Sequence, residues 1–374
     1  MPREIPDQRF FRLVGIVLAF LTELPSPVAN HQVDELMQIL GVVLLLLASF
    51  PIVPHLPNRI MQRLDPDFHG FDYRGRNVFV EYANQKHLFW LNTGELPETM
   101  MHIATKISAE LSRLNRRGRL RQRRRNSKIS NVNKVLLTFM WLRKYPCLDT
   151  LALMFDISPS TVCSIIYRVV PILWRYFRNQ VSWPNLAEWN SMRGNWRYFP
   201  NAVGCIDGTR HEIYRPQVEP QRDFFSGHRH YHIINTQLIV DNVGNIVFLQ
   251  AGFLGSLNAA GNFNLMERIG PGTNNDMPLD VVLLADKGYG DIPPLLTPFR
   301  AAQIRRLPRH VQKMARRFNR RLSRCRIIIE HTIKHVKTYQ AVGSIWRHPR
   351  WFQPIVVELC TFLAQRHVVL FDDV

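Results

Sequence analysis

Two apolar segments of the chain end in an aspartate followed by a turn. Gly-Cys-Ile-Asp-Gly-Thr brings in Asp207, and Leu-Leu-Ala-Asp-Lys-Gly-Tyr-Gly brings in Asp286. An apolar strand buries itself, so a carboxylate at its end stands at the sheet edge, where a ligand reaches it. Gly208 and Gly288 leave the backbone free to turn. Either aspartate alone also reads as a cap on the turn that follows. A third acid, Glu330, follows three isoleucines in Arg-Ile-Ile-Ile-Glu-His-Thr-Ile-Lys. Arg326 at i−4 and Lys334 at i+4 offer it a plainer role in a surface ion-pair ladder. If the two strands are neighbours and the Glu330 helix packs over them, the three carboxylates meet at one rim. Such a trio can hold two divalent cations, one activating a water or 3′-hydroxyl and the other steadying the leaving oxygen of a phosphodiester. All-oxygen ligands point to Mg²⁺ or Mn²⁺.

The rest of the chain suits a polyanionic partner. Its 374 residues carry 48 Lys and Arg against 29 Asp and Glu, a formal net charge of +19. Nucleic acid is the first reading of that excess, narrowed to double-stranded DNA only by the helix-turn-helix pattern farther along the chain, and a membrane surface is the second. The five cysteines form no CxxC pair, which argues against a zinc module or a disulfide framework. Leu36–Pro54 lacks charged residues, but Gln38, Ser49, Pro51 and Pro54 interrupt it. A core helix therefore fits better than a membrane span.

The elements that must position the acids follow from pattern. Residues 10–24, 34–50 and 96–114 read as helices. Arg113–Lys128 holds nine basic residues and no acid. It reads as a solvated linker, as a nuclear-localisation signal, or as a phosphate-contacting arm that includes Arg123 and Arg124. After a helix from about 131, a helix over 149–155, a turn at Asp156-Ile157, Ser158 as N-cap and Pro159 at the first helical position predict a helix-turn-helix. Its second helix, from Ser160 to about Val170, presents Ser160, Thr161 and Ser164 outward. From about 200 the chain turns β-rich, with a hairpin around Asn242–Asn245 and an interior strand over 280–286. His228, His230 and His232 sit at strand spacing, either for packing and phosphate contact or for a metal, with Arg229 beside them. A basic amphipathic helix, 309–322, carries Arg316 and Arg320 and leads into the Glu330 helix. It reads as a solvated face or as a grip on the DNA backbone.

Taken in order, the Asp207 block, Phe224–Ile246, the Asp286 block and the Arg-x-x-x-Glu helix ending at Glu330 resemble the Harbinger (PIF-type) transposases and their domesticated nuclease relatives. The resemblance covers about 132 to the C-terminus. It implies an α/β fold: an RNase H-like catalytic core, a mixed β-sheet flanked by helices, behind an all-α N-terminal region with the helix-turn-helix. The expected divisions are 1–130, 131–180 and 200–370. The resemblance places the family's acid triad on Asp207, Asp286 and Glu330 and implies a metal-dependent DNA endonuclease or transposase. It further implies a nuclear location, a separate Myb-like partner and cytoplasmic residence without that partner, and it is compatible with a homo-oligomer. One departure stands out: Asn258 and Ala259 occupy the places where relatives carry His-Asp. That removes an acid near the site but leaves the triad. A domesticated, catalytically silent DNA-binding or scaffold protein is therefore the alternative.

Overall fold

The computed structural model describes residues 77–113 and 129–370, and every statement below concerns these. The helices expected over 10–24 and 34–50, the Leu36–Pro54 stretch, and Arg123 and Arg124 lie outside them.

The helical part begins with α1 (Val78–Ala83), α2 (Lys86–Thr93), α3 (Pro97–Arg113), α4 (Asn131–Lys144), α5 (Leu148–Phe155) and α6 (Pro159–Phe177). The α5–α6 corner is a helix-turn-helix. Asp156 takes the left-handed conformation that stops α5, and the Ser158 side chain accepts from the Thr161 N–H to start α6, with Pro159 in the first turn. The second helix is longer than the sequence suggests. It runs through Pro171 to Phe177, held by the buried Val169, Val170, Ile172 and Leu173. Burial of that apolar face outweighs the single backbone bond the proline lacks.

The sheet is mixed. Its order is β2 (Phe225–Ser226), β3 (Tyr231–Val240), β1 (Ala202–Glu212), β5 (Val282–Leu284) and β6 (Leu295–Leu296), with β4 (Ile246–Leu254) also pairing β3. The β3–β4 hairpin turns as expected: the Asp241 carboxylate accepts from the N–H groups of Val243 and Asn245. β1 pairs antiparallel with β3 and parallel with β5, and β5 parallel with β6. Alternate residues of each strand enter different cores. Cys205 and Leu284 face one that holds Leu322 and Ile329, while Ile206 and Leu283 face another that holds Trp189 and Phe263. Helices thus flank both faces, α7 (Leu186–Ser191) and α8 (Ala259–Leu265) on the second. This is the RNase H-like arrangement expected. The first core also takes in Phe89, Trp141 and Val169, so segments on both sides of the divisions expected near 130 and 180 share one interior.

Beyond α9 (Ala301–Arg306), α10 is a single helix, Arg309–Val336. The basic helix and the Glu330 helix, expected as two, are one element because neither Gly nor Pro falls between Arg309 and Val336. Ala315, Leu322, Ile329 and Val336, seven apart, are buried along its inner side. Of the three isoleucines only Ile329 is fully buried; Ile327 is 45% exposed. The short α11 (Gln340–Gly343) and the long α12 (Gln353–Leu370) complete the fold. No single helix among the described residues is long and apolar enough to cross a membrane, though α5 and α6, bent by 100° at their corner, pass that test as a pair.

Candidate active site

Register brings the aspartates together. Cys205 pairs with Leu284 across the parallel β1–β5 ladder, and Asp207 and Asp286 each lie two residues farther on. Side chains alternate along a strand, so both carboxylates emerge on the face covered by α10. The expectation that β1 ends at Asp207 is wrong. β1 continues to Glu212 because β3 goes on pairing with it as far as Ile233. Asp207 is therefore a mid-strand residue beside the point where β5 stops. Gly208 does not turn the chain either. A Cβ there would lie 3.0 Å from Gln237 Nε2 on the neighbouring strand, so close approach is what calls for glycine.

Asp207 is largely buried, with its side chain 25% exposed, against 45% for Asp286. Burial pushes the Asp207 carboxyl above the usual range. The Arg326 guanidinium and the Gly208 N–H, which donates to Oδ1 at 2.8 Å, pull it back, while Asp286 and Glu330 push it up. Arg326 does not join the surface ladder that its spacing from Glu330 suggests. It turns inward from α10, where Nη2 donates to Asp207 Oδ2 at 2.9 Å and Nη1 to Asp286 Oδ1 at 3.5 Å. Glu330 stands one turn farther along α10, exposed, and near enough to act on Asp207 electrostatically. Among the described residues no three His, Cys, Asp or Glu side chains gather closely enough to hold a metal ion between them. The structure thus brings Asp207 and Asp286 to one cation and leaves Glu330 at the rim.

The donor chemistry fits a hard divalent cation. Two carboxylates, one on β1 and one just past the end of β5, already share one positive group, and the third approaches from the helix that carries that group. Beneath them, from the other face of the sheet, the buried Tyr289 hydroxyl donates to Gln237 Oε1 at 2.5 Å. Ala259 opens α8 against the same loop: its Cβ lies 3.6 Å from where a Cβ on Gly288 would stand.

The residues expected to touch DNA fall in three places. Ser160 is exposed at the start of α6, and Thr161 and Ser164 are half-buried there. The hydroxyls of Ser160 and Thr161 lie within hydrogen-bond distance of the Ser158 hydroxyl, and Ser164 donates to the Ser160 carbonyl. Arg316 and Arg320 are exposed on α10, on a side that also carries Arg309 and Lys313. At 100° per residue that side continues onto the Glu330 face, about 21 Å along the helix from Arg316. Arg229 is exposed and lies electrostatically close to Lys337, whose Nζ donates to the Arg210 carbonyl at 3.0 Å. Burial and these two arginines hold the Lys337 ammonium below its usual range. His228 and His230 are not on a strand. They sit in the turn before β3, with His230 at a φ of 63°, so the three histidines do not share a strand face.

Sequence reasoning missed Arg326 as a partner of the two aspartates, because its spacing from Glu330 has an ordinary helical explanation. It also missed the Tyr289–Gln237 bond and the Lys337–Arg210 contact, which join elements far apart in the chain.

Residues 206–365 match the family described as DDE superfamily endonuclease, and residues 127–177 match the helix-turn-helix of DDE superfamily endonuclease. Among curated relatives, the chain is 25% identical over 228 residues to a probable transposase for insertion sequence element IS702 of Microchaete diplosiphon, covering 60% of this chain and 76% of that protein. It is also 25% identical over 233 residues to the protein ALP1-like of Arabidopsis thaliana, covering 58% of this chain and 55% of that one. No solved structure matches.

Proposed function

Because the chain belongs to the DDE superfamily endonucleases, we propose that it is a Harbinger-type, metal-dependent nuclease or transposase whose acids are Asp207, Asp286 and Glu330. The observation that carries this reading is the parallel β1–β5 register, which sets two carboxylates side by side under a helix bearing a third. Those three residues would hold Mg²⁺ or Mn²⁺. The ions would supply Lewis acidity at a phosphodiester and an activated water or 3′-hydroxyl at neutral pH.

The chain's own groups have separate tasks. Burial of Cys205 and Ile206 before Asp207, and of Ile329 before Glu330, fixes the strand and the helix, so the acids need little reorganisation. Ser160, Thr161 and Ser164 meet the duplex from α6. Arg316, Arg320 and Arg229 hold phosphates, and Arg123 and Arg124, outside the described residues, extend that grip. A Myb-like partner, a homo-oligomer and a nuclear location also belong to this reading, and co-purification, light scattering and imaging of the tagged protein test them.

The second reading, a silent DNA-binding or scaffold protein, is favoured by Ala259 beside the Asp286 loop. Nicking of supercoiled plasmid with Mg²⁺, wild type beside Asp207→Ala, separates the two. Nicking by wild type alone supports the nuclease. Nicking unchanged by the substitution removes the acid assignment, and nicking by neither protein favours the silent form.

A further inference from the structure

The Arg326 side chain is only 10% exposed, yet it reaches both strand aspartates at once. Its Nε is buried and has no hydrogen-bond partner among the described residues. A buried guanidinium is expected to satisfy its whole fork of donors. This one instead spends its two terminal nitrogens on two separate carboxylates. The formal charges explain why it is held there. Asp207, Asp286 and Glu330 bring three negative charges to a partly buried rim, and Arg326 returns one positive. The remaining two negative charges are what a single divalent cation balances; a pair of such ions with Arg326 still in place leaves an excess of positive charge.

We infer that Arg326 is the resident cation of the Asp207–Asp286 pair, holding the carboxylates together in the metal-free protein and competing with divalent metal for the same oxygens. The inference rests on the reading of this pair as metal ligands. It makes Arg326 a positioning residue that also sets metal affinity and stoichiometry. Arginine suits the task better than lysine, because its planar fork spans two acceptors while an ammonium is a point charge. Loading the site with metal then means displacing a guanidinium from at least one carboxylate. α10 carries that guanidinium one turn before Glu330, so the displaced group and the third acid move on the same rigid element.

Calorimetric titration of the chelator-treated full chain with MnCl₂ tests this, using wild type, Arg326→Met, Arg326→Lys and Asp207→Ala. The expected result is Mn²⁺ binding by wild type that Asp207→Ala abolishes, with binding about tenfold or more tighter, or one further ion per chain, in Arg326→Met. Arg326→Lys should fall between. It keeps the charge, and with it the fold, should Arg326→Met fail to fold without metal. Equal affinity and stoichiometry in wild type and both Arg326 variants overturn the competition and leave the metal site standing. Weaker binding in both variants also overturns it, since Arg326 then organises the ligands without opposing the ion. Wild-type binding that is absent, or that survives Asp207→Ala, overturns the metal-site reading and this inference with it.

Discussion

Asp207 on β1 and Asp286 just past the end of β5 lie at the same level, each two residues beyond the Cys205–Leu284 pair of these parallel strands. The parallel register carries the alignment just past the end of β5, so the two acids should act as a unit. Asp207→Ala and Asp286→Ala are each expected to lower Mg²⁺-dependent nicking by at least about 100-fold, the factor that a few kcal/mol of charge stabilisation represents. The double variant should lose little more than either single one. Rates on supercoiled plasmid check both points; additive losses would mean that the two carboxylates work independently.

The same site carries a stability cost. Asp207 is held above the ordinary value of 3.8 chiefly by burial, so the folded state binds its proton more tightly than the unfolded state does. Its contribution to stability is complete below 3.8 and is lost as pH rises through the raised folded value. Asp207→Asn, neutral at every pH, should therefore melt no earlier than wild type at pH 7. The difference should close on acidification towards pH 3.8. Thermal unfolding across that range, with chelator present, reads it out; an Asn variant markedly less stable at pH 7 would contradict it.

His211 titrates in the opposite sense. It lies four residues beyond Asp207 on β1, fully buried, within hydrogen-bond distance of the Val342 carbonyl (3.0 Å) and the Thr236 hydroxyl (3.2 Å). Burial pushes its imidazole from 6.5 down to about 4. The unfolded chain takes up the proton first, so stability is full above 6.5 and drains away as pH falls through about 4. The loss amounts to about 3 kcal/mol by the bottom of that window. Urea unfolding at pH 7, 5.5 and 4.5 should show this decline, and His211→Gln should flatten it.

Part of this site was legible in the chain and part was not. Asp207, Asp286 and Glu330 stood out because apolar runs lead into each, and apolar runs report burial whatever the partner. The Asp156–Pro159 corner was legible too, since capping chemistry is local. The true end of β1 was hidden because it depends on β3, some 20 residues downstream, continuing to pair after β5 stops. Arg326 was misread for a related reason. Its i+4 spacing to Glu330 is visible in one segment, whereas its partners at 207 and 286 come together only through the sheet. The continuity of α10 was readable in principle from the absence of Gly and Pro, but the change from an Arg-rich to an Ile-rich texture masked it.

Tyr289 and Gln237 support the acids from the opposite face of the sheet. The Tyr289 hydroxyl donates to Gln237 Oε1, and Gln237 Nε2 is already buried without a partner among the described residues. Tyr289→Phe leaves the amide with neither group satisfied, and should cost about 1–3 kcal/mol of stability. Gly208→Ala, whose methyl would press on the same amide at 3.0 Å, should destabilise the same spot. The two sites share Gln237, so a double-mutant cycle in urea should give a combined loss smaller than the sum of the single ones.

The basic side of α10 makes the electrostatic prediction. Arg316 and Arg320 are one turn apart and exposed, and the helix that bears them is anchored through Leu322 and Ile329. On the proposed function, a rigid support would make each arginine a fixed phosphate contact, and each such contact would release condensed counterions. Log K for duplex binding should therefore fall with log salt, and Arg316→Ala and Arg320→Ala should each reduce that slope by about 0.9. Both should weaken binding equally on unrelated sequences, because phosphates carry no base identity. Ser160→Glu should act differently. It puts a carboxylate at the start of α6, where it favours the helix dipole and so spares the fold, yet repels a duplex lying there. Fluorescence anisotropy over a salt series distinguishes these cases. An unchanged slope in the arginine variants would mean that this side of α10 faces solvent alone, and unchanged affinity in Ser160→Glu would remove α6 from the DNA interface.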